Sequence, residues 1–227
     1  MFNSDMQQNP WAVATPRVEI RPLMRLVYMW MTVGLLTTAL IAMLVSGNEA
    51  LLAIVTNPVV LFGSFIGQIG LVIALNAGMR RMSADLAGVL FFVYAALNGF
   101  IFSLLFVVYD LGSIGMAFLT TAGLFGAMTI VGYTTKTDLT RYSSYFMMGL
   151  IGLVIAMVVN MFLGSGPLDF AISIFGVLLF TGLTAYDTQK IKEMAADPNI
   201  EASGSLAAKL GILGALQLYL DFINLFL

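Results

Sequence analysis

Two aspartates carry the chemistry that this sequence offers. Asp187 sits in Thr184-Ala185-Tyr186-Asp187-Thr188-Gln189-Lys190, at the end of one apolar run, and Asp221 sits in Gln217-Leu218-Tyr219-Leu220-Asp221-Phe222-Ile223-Asn224, inside the last one. A carboxylate costs about 3 kcal/mol to place in a bilayer, so it faces protein or a water path and has a partner. Gln217, Asp221 and Asn224 fall at i, i+4 and i+7, a polar stripe on one helix face, and Thr181, Thr184 and Thr188 make a second stripe leading past Asp187. Two such stripes facing each other would line a hydrated passage. Carboxyls that share a site cannot both ionise cheaply, so a neighbouring pair holds a proton between its members and titrates as a unit. The chain has no histidine, so the pair would be its pH switch. For Asp187 a plain helix cap or an ion pair with Lys190 is the competing reading. For Asp221 no cation lies nearby on its own helix.

Little else in the chain points to chemistry. Cysteine is absent, which removes disulfides and thiolate metal sites. No phosphate loop, nucleophile–base pair or zinc spacing occurs, so the sequence predicts no enzyme and no cofactor. The cations are too scattered for a nucleic-acid surface. Asn98 and Asn160 read as helix-to-helix hydrogen-bonding residues, Tyr94, Tyr109 and Tyr133 as packing or interfacial ones, and the 15 methionines as adaptable packing.

The elements that must position the aspartates are membrane helices. Hydrophobic residues make up 60% of the 227 and charged ones 10%, with mean hydropathy +0.97; a soluble domain carries about 25% charge. Seven apolar spans are predicted over residues 26–46, 58–78, 86–109, 112–133, 144–163, 168–186 and 206–227. They form one transmembrane domain, 23–227, behind a short polar tail, 1–22, and the first span serves as an uncleaved signal anchor.

Charge placement supports the count. Arg17, Arg21 and Arg25 precede the first span, Arg80 and Arg81 follow the second, Lys136 and Arg141 follow the fourth, and Lys190, Lys192 and Lys209 lie around the last connection. These are all ten Lys and Arg of the chain. The alternate loops carry only Glu49, Asp110 and Asp169. The positive-inside rule then puts the N-terminus in the cytoplasm and, by parity, the C-terminus outside. Seven spans do not divide into two inverted halves, which weighs against a repeat-built transporter.

Tyr186-Asp187-Thr188-Gln189, followed by Leu218-Tyr219-Leu220-Asp221-Phe222-Ile223-Asn224-Leu225-Phe226, resembles the paired signature of the Bax inhibitor (transmembrane Bax inhibitor motif) family. Gly78-Met79-Arg80-Arg81 after the second span is similar too. The resemblance implies an all-α bundle of seven transmembrane helices with the last helix central. It further implies a pH-sensitive calcium leak channel of the bacterial inner membrane, gated by a hydrogen-bonded aspartate pair. Asp187 and Asp221 would be that pair and would hold calcium transiently; Arg80, or Arg81 if the register slips by one, would engage Asp187 when the pair separates. Gln68 stands nearest to where some relatives carry a glutamate. Gln217, Asn224, Thr184 and Gln68 are the expected pathway lining. Lipid, calcium and protons are the expected partners. A non-conducting regulator that binds other membrane proteins, and a proton-coupled transporter, are the alternatives.

One geometric demand follows. Asp187 is three residues from Lys190, about 5 Å along a helix, whereas Asp221 is twelve from Lys209, about 18 Å. For the two to meet, the last helix must begin well inside the cytoplasm or break near Gly211 or Gly214. It must also run on past Leu227, so the apolar end of the chain predicts that the natural protein continues.

Overall fold

The computed structural model describes residues 20–78, 81–196 and 204–227, and these are helical with short turns between. The helices are α1 (Ile20–Ser46), α2 (Glu49–Val55), α3 (Pro58–Gly78), α4 (Ala84–Phe102), α5 (Leu105–Val108), α6 (Leu111–Thr134), α7 (Ser143–Leu163), α8 (Gly166–Ala196) and α9 (Gly204–Phe226). A single 3₁₀ turn, Leu139–Tyr142, leads into α7. Among the described residues, seven spans are long and apolar enough to cross a membrane, α4 and α5 together making one of them. The protein is an all-α bundle.

Side-chain caps set several helix starts. Asn48 accepts from the backbone N–H of Ala50 and Leu51, Ser83 from Leu86, and Asp110 from Ser113, each satisfying an N–H that a first turn leaves free. α7 ends on Gly164, whose φ of +58° suits glycine.

The third span, expected to be one helix, is interrupted. α4 stops at Phe102, and the Ser103 hydroxyl donates to the Phe100 carbonyl at 2.7 Å before α5 begins. Hydroxyl bonding to the preceding turn competes with continued helix there. The connection between the first two spans also folds into α2, which hydropathy alone does not distinguish from a loop.

α9 is the central element, packed by α1, α4, α6 and α8. Leu216, Leu218 and Tyr219 on it are fully buried. α3 packs mainly on α4, and α7 on α8, so both sit at the periphery. Their outward faces are apolar, with Ile66 70% and Phe162 80% exposed, as a lipid solvent permits. Lipid gives no hydrophobic drive for helices to associate, so close packing does the work. Two glycines show it. A Cβ on Gly132 would overlap the Ala185 carbonyl, so α6 lies directly on the α8 backbone. A Cβ on Gly214 would meet Val27 at 3.0 Å and Ile191 at 3.2 Å, which brings α1, α8 and α9 together.

The depth difficulty is resolved at the basic end of the bundle. α9 is unbroken at Gly211 and Gly214, and it begins at Gly204, ahead of Lys209. α8 does not stop at Tyr186 but continues to Ala196. Its 31 residues extend about 46 Å at about 1.5 Å each, longer than a hydrocarbon core of about 30 Å. The segment after Lys190, expected as loop, is held helical by Ile191 and Ala195, which are both buried and spaced one turn apart.

Candidate functional site

α8 and α9 pack side by side with opposite chain directions, and the contact places the carboxyls of Asp187 and Asp221 within hydrogen-bonding reach. Asp221 is 4% exposed, on the buried face of α9, while Asp187 is partly buried. An ionised carboxylate only accepts hydrogen bonds. The contact is therefore a hydrogen bond only when one proton is shared between the two acids. The Asp221 Oδ2 atom is buried and has no further partner. Lys190, one turn along α8, places its charge near Asp187 while its Nζ lies 5.7 Å from the centre of the Tyr186 ring.

Of the threonine stripe, Thr184 and Thr188 are fully buried and Thr181 is half-buried. Thr184 donates to the Phe180 carbonyl at 2.8 Å and Thr188 to the Thr184 carbonyl at 2.7 Å. Their protons are thus spent within α8, leaving oxygen lone pairs for groups on other helices. Gln217 is half-buried one turn before Asp221, and its Oε1 has no partner.

Two lining residues expected from the sequence lie elsewhere. Asn224 is exposed, and its amide donates back to Leu220 at 2.7 Å. The stripe diverges because Asn224 stands about 60° around the helix from Asp221 at about 100° per residue, enough to carry it off the buried face. Gln68 is on α3, whose main packing partner is α4. Its Nε2 is buried without a partner. Arg80 lies outside the described residues, and Arg81 is exposed.

The structure adds two residues beside the pair that the sequence reading did not single out. Gln189 donates to the Thr137 carbonyl at 2.9 Å and accepts from the Leu139 N–H at 2.7 Å, and Lys192 donates to the Tyr133 carbonyl at 2.7 Å. Together they tie the α6–α7 connection onto α8. Their position within the same short segment as Asp187 is the one signal that could have flagged them.

A family model described as Inhibitor of apoptosis-promoting Bax1 matches residues 20–227. The chain belongs to the Bax inhibitor family. It is 46% identical over 217 residues to the inner membrane protein YbhL of Escherichia coli K12, covering 95% of this chain and 92% of that one. It is 44% identical over 198 residues to an uncharacterized protein of Borreliella burgdorferi, covering 87% and 84%. An uncharacterized protein of Deinococcus radiodurans is 43% identical over 209 residues, covering 92% and 88%. The family match therefore takes in all seven spans, including both aspartate segments.

In this Bax inhibitor family protein the pair brings two carboxyls together. A resident calcium site takes six to eight oxygens, and no group of three or more acidic side chains is assembled among the described residues.

Proposed function

We propose that this protein is a pH-sensitive cation leak channel, with calcium as the ion, in which the Asp187–Asp221 pair is the sensor and gate. The contact between these two carboxyls across α8 and the central helix α9 is the observation that supports it most. With one proton shared, the hydrogen bond holds the two helices together. With both carboxyls ionised, like charges meet in a low-dielectric setting, the contact loosens, and negative charge becomes available to a cation. Flux then rises with pH. The name of the Escherichia coli relative and the placement of the cations support an inner-membrane location, with the basic end of the bundle in the cytoplasm and the C-terminus outside. Arg80 is proposed as the cation that receives Asp187 when the pair opens.

The test is calcium flux into liposomes containing only this protein, measured between about pH 5 and pH 8. The wild-type chain should conduct more at the alkaline end, and Asp221→Asn should flatten the profile, because an amide does not titrate. An unchanged profile removes the pair as the sensor. Absence of wild-type flux at every pH removes the channel and favours a non-conducting regulator, whereas saturable, proton-stoichiometric solute flux points to a transporter.

A further inference from the structure

Between α1 and α6 the apolar surface of the bundle is concave. Both helices pack on α9, and three cavities follow one another along the gap between them. The first, about 320 Å³, begins at Tyr28; the second, about 80 Å³, is a waist; the third, about 300 Å³, ends at Tyr109 and Ser113. They share walls. Leu35, Ala39, Phe118 and Phe222 border both the first cavity and the waist, and Leu105, Ile114 and Phe226 border both the waist and the third cavity. A row of rings follows the groove, with centres 5.5 Å apart from Phe125 to Phe222, 5.3 Å from Phe222 to Phe118 and 6.5 Å from Phe118 to Phe226. Phe222 is buried, whereas Leu36 is 63% and Phe118 43% exposed, so the groove opens sideways, toward the lipid.

We propose that this groove holds one acyl chain of a phospholipid with an ammonium headgroup, of the phosphatidylethanolamine type, seated with that headgroup at the acidic end of the bundle. Length, width and charge each support the assignment. From Phe125 to Ser113 the α6 wall spans 12 residues, about 18 Å at about 1.5 Å per residue. That is a little over half of a hydrocarbon core of about 30 Å, the reach of one chain from one leaflet. The waist of about 80 Å³ is too small for a second copy of this chain to lay a helix along the groove, since a helix with its side chains is about 10–12 Å across. A methylene chain threads it. At the far end, the Ser113 hydroxyl donates to the exposed Asp110 carboxylate at 2.6 Å. The connections on that side carry Glu49, Asp110 and Asp169 and no lysine or arginine. A net-anionic headgroup meets only like charge there, whereas an ammonium meets a carboxylate. Tyr109, exposed beside the third cavity, suits the same interfacial depth. Nothing in this assignment rests on conduction.

The test uses the full chain in vesicles of phosphatidylethanolamine and phosphatidylglycerol in equal amounts, with a trace of either lipid carrying a photoactivatable diazirine at mid-chain. On illumination, residues 35–39 of α1 and 118–122 of α6 should be labelled about fivefold more than residues 62–66 on the outward face of α3, because the groove walls touch a chain on several sides at once. Ala39→Phe should bring labelling at 118–122 down to the α3 level. Ala122→Phe fills the groove from the opposite wall and serves if the first variant does not fold, and Ile66→Phe, on α3, should leave groove labelling unchanged. The ethanolamine probe should label the groove about threefold more than the glycerol probe, the scale of one exposed ion pair. Asp110→Asn keeps the helix cap and should erase that preference. Equal labelling of the groove and α3 in the wild type, or groove labelling that survives both filling variants, would overturn the lipid site. Labelling below the α3 level would mean that protein fills the groove, and would overturn it too. Equal labelling by the two probes, or a preference that survives Asp110→Asn, would overturn the ammonium headgroup.

Discussion

The tie between Tyr219 and Thr38 permits a prediction in which a second mutation repairs the first. The two hydroxyl oxygens are 2.7 Å apart, and Thr38 Oγ1 also lies 2.9 Å from the Ala95 carbonyl, so one short chain of hydrogen bonds joins α9, α1 and α4. Thr38 has a single proton. Donating it to Ala95 makes it the acceptor for the Tyr219 hydroxyl. In Tyr219→Phe, Thr38 keeps its bond to Ala95, and the ring retains its edge contacts with Phe91 and Tyr94, both at 5.8 Å between centres. The loss is one hydrogen bond between membrane helices, about 0.6 kcal/mol. Thr38→Val breaks the same bond but strands the hydroxyl of a tyrosine that is 0% exposed. An orphaned buried donor costs about 1–3 kcal/mol in addition to the lost bond to Ala95. Adding Tyr219→Phe to Thr38→Val removes the orphan. The double variant should therefore recover about 1 kcal/mol relative to Thr38→Val alone, a clear non-additivity for contacting residues. Reversible unfolding in bicelles, followed by loss of helical signal, measures all three. The reasoning fails if the double variant is no more stable than Thr38→Val, or if Tyr219→Phe is the costlier single change.

Two further outcomes follow from the packing and caps. Gly132→Ala should cost about 1–3 kcal/mol by forcing α6 away from the α8 backbone, whereas Gly126→Ala, on the same helix with open space at its Cβ, should be neutral or stabilising; equal melting temperatures for the two would refute the close approach. The Asp110 carboxyl is held below its ordinary range, first by the Ser113 hydroxyl and then by the Ser113 N–H. A depressed folded value makes the cap's contribution full above about pH 4, and it fades as pH falls through the lowered value. Melting temperatures from pH 6 to pH 3 should show that decline in the wild type and a flatter course in Asp110→Asn, and parallel curves would refute it.

The aspartates were legible because intramembrane carboxylates are rare, and the span count because every cation falls in alternate connections. What the sequence concealed is how the helices meet. Asn224 shares the periodicity of Gln217 and Asp221, yet burial depends on where the neighbours α8 and α4 lie around α9, which no spacing within α9 reports. The charged segment after Asp187 reads as loop by composition, although Ile191 and Ala195 at helical spacing already mark an apolar face. Tyr28 and Thr129 carry no signal of their own, since tyrosine and threonine are ordinary in membrane helices. Their proximity exists only once α1, α6 and α8 are packed, and Gly132 lets α6 lie directly on the α8 backbone.

The distribution of satisfied and unsatisfied polar groups divides the bundle into two bodies. Within one, α9 is bound to α1 and α4 through Tyr219, Thr38 and the Ala95 carbonyl, and α3 rides on α4. Within the other, α8 is bound to the end of α6 and the α6–α7 connection through Gln189 and Lys192, with α7 packed on α8. The polar links inside each body have good partners. Three of the five buried polar atoms without one among the described residues, Tyr28 Oη, Thr129 Oγ1 and Asp221 Oδ2, stand instead where the two bodies meet. The aspartate pair straddles that seam between α8 and α9, and Tyr28 of α1 stands at it beside Thr129 of α6 and Thr188 of α8. Thr121 donates to the Leu225 carbonyl at 3.5 Å across the same boundary, so a change in the charge of the pair would act where few side-chain hydrogen bonds join α6 and α8 to α9.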